Sequence, residues 1–79
     1  MKNFKSRYEM RASEFEFICE FIKLRRELGL TQQQMADKSN VLRDKIAKIE
    51  GGFFTPTLKS LSNILEPLGY RVTITKIKK

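Results

Sequence analysis

The sequence predicts a small, mainly α-helical domain of four to five helices followed by one β-strand. Apolar residues recur at the spacing of a helix along most of the chain, and glycine or asparagine residues separate these helical patterns. After Gly69, apolar and polar residues alternate instead, which is the pattern of a strand. We therefore divide the chain into a flexible basic arm at residues 1–12, a helical domain at residues 13–69, and a strand with a basic tail at residues 70–79.

The first helix should begin at Glu14. Ser13 and Glu16 have the spacing of a capping box, in which each side chain bonds a free backbone N–H of the other residue. An apolar stripe follows at helical spacing and consists of Phe17, Phe21, Leu24 and Leu28. Gly29 should end the helix in the left-handed conformation that favours glycine.

Two short helices joined by a tight turn should come next. Thr31 can cap the second helix, with Gln34 completing a capping box. Asn40 suits the turn because asparagine tolerates positive φ better than other residues with a side chain. The third helix should run from about Leu42 to Glu50 and stop at the pair of glycines that follows. Four apolar residues should fix the angle between the two helices, namely Met35, Val41, Ile46 and Ile49, while Ala36 permits their close approach.

The fourth helix and the strand complete the predicted fold. Thr55 should cap the helix, with Pro56 as its first residue. Pro67 should distort the last turn, because proline removes a helical hydrogen bond. The strand should then place three apolar residues on one face, namely Tyr70, Val72 and Ile74.

Length and cysteine content indicate one domain that gains stability by self-association. The chain has 79 residues, which is near the lower limit for a single apolar core. One cysteine and no histidine exclude an internal disulfide and argue against a zinc site, so a second copy is the remaining source of stability. No apolar run approaches the roughly 18 residues that span a bilayer. The charged N-terminus does not resemble a signal peptide, so we expect a cytoplasmic protein with no membrane partner.

The charge of the chain favours a polyanionic partner. The formal net charge is +7 with an isoelectric point near 9.9, which points to nucleic acid ahead of a membrane surface. Histidine, a glycine-rich phosphate loop and a cluster of metal ligands are all absent from the sequence. We therefore expect no enzyme activity, no catalytic residue, no metal and no cofactor.

One stretch carries a specific family resemblance. The segment "LRRELGLTQQQMADKSNVLRDKIAKIEGG", residues 24–52, resembles the lambda-repressor/Cro-like (XRE) helix-turn-helix family, and the likeness extends roughly over residues 17–69. It implies a lambda-repressor-like domain that places its third helix in the major groove of double-stranded DNA and acts as a transcriptional repressor. Three residues depart from the family pattern: Ser39 stands where an apolar residue is common, Asn40 where glycine is usual, and Leu42 where a capping Ser or Thr is usual. The missing cap costs about 1 kcal/mol.

The third helix has a charged face opposite its buried residues, Ile46 and Ile49. The resemblance places the contacts to DNA bases on Arg43, Asp44, Ala47 and Lys48. Arginine and lysine donate to guanine O6 and N7, and aspartate accepts from cytosine N4. The alternative interpretation is a solvated charged face that binds nothing.

Further residues are expected to contact the DNA backbone or to support the fold. The N-terminus of the second helix and one further cation suit phosphate, which gives the set Thr31, Gln32, Gln33 and Lys45. The resemblance also implies a structural salt bridge between Arg25 and Glu50, so we do not count Glu50 as a functional carboxylate.

A homodimer is expected because a lone strand leaves its backbone groups unpaired. The easiest partner is the same strand of a second copy, which would place Tyr70, Val72 and Ile74 in the dimer interface around a two-fold axis. The alternative interface is a second apolar face of the first helix, formed by Phe15, Cys19 and Ile22. Either dimer would read a palindromic operator with half-sites roughly 34 Å apart, or a multiple of that distance.

Two other functions stay open on the sequence. A helix-turn-helix followed by a C-terminal strand looks like the antitoxins of type II toxin–antitoxin pairs, such as HipB-like and HigA-like proteins. In that case the chain would neutralise a cognate toxin, with DNA binding as autoregulation. General RNA binding has only the charge in its favour, because the sequence shows no aromatic platform of the kind that stacks bases.

Overall fold

Four α-helices and one short 3₁₀ helix make up the fold of residues 12–73, the part of the chain that the computed structural model describes. The helices are α1 (Ala12–Glu27), α2 (Gln32–Ser39), α3 (Arg43–Gly51) and α4 (Leu58–Leu65), and the 3₁₀ helix (Glu66–Leu68) follows α4 directly. The 3₁₀ geometry at Pro67 is the distortion that the sequence predicted for the last turn. No helix among these residues is long and apolar enough to cross a membrane.

The helical segments end in the same way, at a residue with left-handed backbone geometry. These residues are Gly29 (φ 72°), Asn40 (φ 58°), Gly52 (φ 81°) and Gly69 (φ 90°). At Asn40, the N–H of Asn40 donates to the Asp37 carbonyl at 3.3 Å, and the next N–H, of Val41, donates to the Ala36 carbonyl at 3.0 Å. This pair of bonds is the Schellman motif, and it satisfies carbonyls that a helix end otherwise leaves free. The predicted left-handed caps at Gly29 and Asn40 are confirmed.

The starts of the helices follow the predictions in the middle of the chain. Thr31 caps α2: its hydroxyl accepts from the Gln34 N–H, and the Gln34 side chain accepts from the Thr31 N–H. Leu42 occupies the corresponding position of α3 and offers no side-chain hydrogen bond, as its apolar side chain requires.

Two predicted helix starts are wrong. Ser13 lies inside α1 rather than ahead of it, because the helix already includes Ala12, the residue type with the highest helix propensity. Thr57, not Thr55, caps α4 by accepting a hydrogen bond from the Ser60 N–H at 3.1 Å. Pro56 consequently precedes the helix, and its ring disfavours helical geometry at Thr55 by steric clash.

The core lies between α2, α3 and α4, with α1 packed across α3. It is formed by Phe21, Met35, Ala36, Ile46, Ile49, Ile64 and Leu65. The inward positions that set the angle between α2 and α3 are confirmed, since Met35, Ile46 and Ile49 are 0% exposed. Ala36 is buried as completely, and its small side chain allows the two helices to approach closely.

Ser39 shows how the fold accepts a polar residue at a buried position. The residue is 5% exposed, and its hydroxyl donates to the Ile64 carbonyl at 2.7 Å. A buried hydroxyl without a partner would destabilise the fold, so this bond removes the penalty and also ties the end of α2 to α4.

The C-terminal strand stays a prediction. Residues 70–73 have no regular secondary structure, and Ile74 with the rest of the basic tail lies outside the described residues. Tyr70 is 45% exposed and Val72 is 36% exposed, so both are accessible on this chain. The predicted basic arm lies outside the described residues as well, except for Ala12.

Candidate nucleic-acid interface

The outward face of α3 carries the residues that the resemblance assigned to DNA bases. Ile46 and Ile49 anchor the helix in the core. On the other side, Arg43, Asp44 and Lys48 are exposed, and Ala47 is half-buried between them. The helix therefore presents its charged side chains to solvent rather than to the rest of the domain.

A buried ion pair ties α1 to the end of α3. Arg25 Nε donates to Glu50 Oε2 at 2.7 Å, and Arg25 Nη2 donates to Glu50 Oε1 at 3.0 Å. The Arg25 side chain is 14% exposed and that of Glu50 is 7% exposed. The hydrogen bond that Arg25 donates to Glu50 raises the pKa of Arg25 above its ordinary value. Burial lowers this pKa in part, and the negative charge of Glu50 raises it further. The pair has the structural place that the resemblance implied.

Gln32 connects this ion pair to the start of α3. Its Nε2 donates to Glu50 Oε1 at 3.0 Å, and its Oε1 accepts from Arg43 Nη1 at 3.1 Å. The Gln32 amide therefore links the Arg43 guanidinium to the Glu50 carboxylate, and this chain of hydrogen bonds orients Arg43. Sequence reasoning assigned Gln32 to phosphate and missed this link, since no local pattern relates residues 32 and 43.

Asp44 and Lys48 form a weak pair on the surface of α3. Asp44 Oδ2 and Lys48 Nζ are 3.1 Å apart, one helical turn from each other, and their side chains are 70% and 58% exposed. Exposed pairs at this spacing contribute about 0.3–0.5 kcal/mol. Lys48 can therefore leave Asp44 for another anion at little cost.

The residues expected to contact phosphate lie on two sides of α3. Thr31, Gln32 and Gln33 lie at the N-terminus of α2, on the side to which Arg43 bonds. The Thr31 hydroxyl and N–H serve the capping box, and Gln33 Nε2 donates to Asp37 at 2.8 Å. Lys45 lies on the other side, where its ammonium is 5.9 Å from the centre of the Phe54 ring.

The loop after α3 holds two phenylalanines against the helix. The N–H groups of Phe53 and Phe54 both donate to the Lys48 carbonyl, at 2.9 Å and 3.2 Å. A side chain at Gly51 would come within 2.9 Å of the Phe53 ring, so the ring would have to shift if Gly51 were replaced. No local sequence pattern predicts this contact between the loop and α3.

No group of metal-ligating side chains suited to a metal ion occurs within residues 12–73. Along α3, the exposed charged side chains are two cations, Arg43 and Lys48, and one carboxylate, Asp44. Such a set suits a polyanion whose surface also offers hydrogen-bond acceptors.

Comparisons with known proteins agree with this geometry. Residues 22–74 match the family model described as helix-turn-helix. The chain is 38% identical over 61 residues to an uncharacterized HTH-type transcriptional regulator of Haemophilus influenzae, covering 77% of this chain and 62% of the relative. It is 38% identical over 50 residues to the immunity repressor protein of Bacillus phage phi105, covering 63% of this chain and 35% of the relative.

A third relative is an uncharacterized HTH-type transcriptional regulator of Methanothermobacter thermautotrophicus, 40% identical over 45 residues, or 57% of this chain and 65% of the relative. The matches thus span from 35% to 65% of the length of these curated relatives. No solved structure gives a significant match. Because the family model covers most of the described helices, the chain belongs to the XRE-type helix-turn-helix family.

Proposed function

We propose that the chain is a sequence-specific transcriptional repressor that binds a palindromic operator in double-stranded DNA as a homodimer. The observation that carries the proposal is the outward face of α3, on which Arg43 is held by Gln32 and Lys48 is free to leave Asp44. The names of the relatives support it, since two are called transcriptional regulators and one an immunity repressor.

The major groove has the width of one helix, so α3 would enter it with its N-terminal residues next to the bases. Arg43 and Lys48 would donate to guanine O6 and N7. Asp44 would accept from cytosine N4 or reject bases that present an acceptor at that point. Ala47, with its small side chain, would let the helix approach the base edges closely.

Contacts to phosphate would set the register of α3 in the groove. The N-terminus of α2 has a partial positive charge and free backbone donors, which suit a phosphate beside Thr31, Gln32 and Gln33. Lys45 would meet the phosphates on the other side of the groove. These contacts supply affinity and position but carry little sequence information.

Substituting Arg43 with alanine tests the proposal. First, the purified protein should enrich a palindromic sequence from random duplexes. Arg43→Ala should then weaken binding to that operator by about 1–3 kcal/mol and relax the preference at one base pair of each half-site. Fluorescence anisotropy on the operator and on every single-base variant measures both effects.

The matched control is Lys23→Ala, which removes one positive charge from an exposed position of α1 that points away from Arg25. It should leave the base preference unchanged. An equal loss of affinity for the operator and for random DNA in Arg43→Ala would reassign Arg43 to phosphate. Stable copurification with a second protein, without enrichment of any DNA sequence, would favour the antitoxin function instead.

The proposed dimer pairs the C-terminal segments of two copies through Tyr70, Val72 and Ile74. Val72→Asp combined with Ile74→Asp should abolish dimers, because burying two carboxylates per chain costs several kcal/mol. Sedimentation velocity should show monomers. The control places the same charges on the other face of the proposed strand, as Thr73→Asp with Thr75→Asp, and should stay dimeric. A dimeric Val72→Asp, Ile74→Asp variant would move the interface to the α1 face of Phe15, Cys19 and Ile22.

A further inference from the structure

Leu42 is an apolar side chain placed in solvent at the start of the proposed recognition helix. It is 79% exposed, the highest value for a large apolar side chain among residues 12–73. Its side chain makes no capping hydrogen bond, at a position where Ser, Thr, Asp or Asn would stabilise the helix. The local structure therefore gains nothing from leucine at this position.

Leu42 is not isolated on the surface. It lines an open concavity of about 450 Å³ together with Val41, Phe54 and the side chains of Lys45 and Lys48. Asp44 also borders this space. We call the apolar lining residues, Val41, Leu42 and Phe54, the floor of the concavity. The charged ones, Asp44, Lys45 and Lys48, are its rim.

The floor of the concavity is held in place before any ligand binds. The bonds from the Phe53 and Phe54 N–H groups to the Lys48 carbonyl attach the loop to α3. Gly52 makes the turn that this requires, with φ of 81°. The Lys45 ammonium lies over the Phe54 ring, 5.9 Å from its centre, so a cation–π contact links the loop to α3 beside the concavity.

The charged rim and the apolar floor together indicate which chemical group could bind in the concavity. The cations of the rim favour a phosphate-bearing partner, and the concavity is bordered by Asp44 and Lys48, the residues that the proposed function places at the base edges of the major groove. The only apolar group that a standard base presents in that groove is the 5-methyl group of thymine. The volume exceeds that of a methyl group, so the base edge can approach without a clash.

We propose that Leu42 and Phe54 form a receptor for the 5-methyl group of a thymine in each half-site, so that Leu42 is a specificity-determining residue. This inference rests on the proposed function and adds an apolar contact to the polar ones along α3. It explains why the position is occupied by leucine at the expense of a helix cap.

The test removes the methyl group without changing base pairing. In the operator enriched from random duplexes, each thymine of a half-site is replaced in turn by deoxyuridine. At one position the wild-type protein should bind the deoxyuridine duplex about fourfold more weakly per half-site, as expected for one buried carbon. Leu42→Ala should bind the two duplexes equally.

Leu58→Ala is the matched control, since Leu58 is 67% exposed and does not line the concavity. It should keep the fourfold discrimination. Three results would overturn this inference alone. The enriched operator could lack thymine, or the wild-type protein could bind it equally with and without every methyl group. The third result is that Leu42→Ala still discriminates between the two duplexes. Failure to enrich any sequence would overturn the proposed function and the inference with it.

Discussion

Glu50→Ala should lower the free energy of unfolding by about 3–5 kcal/mol, the cost of removing one partner of a buried ion pair. The substitution leaves the Arg25 guanidinium in a site where only 14% of the side chain is exposed, with the Leu30 carbonyl as its remaining acceptor at 2.9 Å. Domains of this length have stabilities of about 4–12 kcal/mol, so the loss is a large fraction of the total free energy of unfolding. Urea unfolding followed by circular dichroism measures the change.

Glu66→Ala is the control, because Glu66 is exposed. It should change the stability by less than about 0.5 kcal/mol. A loss below about 1 kcal/mol for Glu50→Ala would mean that water or a neighbouring group replaces the carboxylate. The raised pKa of Arg25 adds no pH dependence at neutral pH. The contribution of the raised pKa to the free energy of unfolding is complete at every pH below the pKa of arginine in the unfolded chain. It is lost only as the pH rises above the raised pKa of the folded protein.

Ile46→Ala should cost about 2–5 kcal/mol, because Ile46 is 0% exposed and the surrounding side chains can fill the cavity only in part. Ile46→Val removes one methyl group from the same site and should cost about 0.5–1.5 kcal/mol. Urea unfolding of the two variants gives the comparison. If Ile46→Ala lowers the free energy of unfolding no more than Ile46→Val does, Ile46 does not anchor α3.

Local residues predicted the middle of the fold well. The cap of α2 depends on Thr31 and Gln34, and its end depends on Asn40, so each boundary is determined by side chains within a few positions of it. The wrong start predicted for α4 occurs where two possible capping residues lie close together in the sequence. Thr55 and Thr57 are equally good capping residues by type, and the choice between them depends on how α4 packs.

The site was predictable as far as it depends on one helix. The 100° spacing of residues around α3 places Ile46 and Ile49 inward and therefore Asp44 and Lys48 outward, with Arg43 at the edge of the outward face. The links from Gln32 to Arg43 and from Lys45 to Phe54 join different segments, so they depend on tertiary structure that no local pattern encodes. The predicted strand would depend on a second copy of the chain, so no local pattern can test it.

The repeated left-handed helix ends have a consequence for the speed of folding. Each one closes with bonds that span at most six residues, such as those from Leu30 to Arg25 and from Tyr70 to Leu65. The helix ends are thus determined locally, and the search left to the chain is the docking of short segments whose boundaries are already specified. Helical domains dominated by short-range contacts fold in microseconds to milliseconds. The helical domain should therefore complete its fold without a long search through alternative topologies.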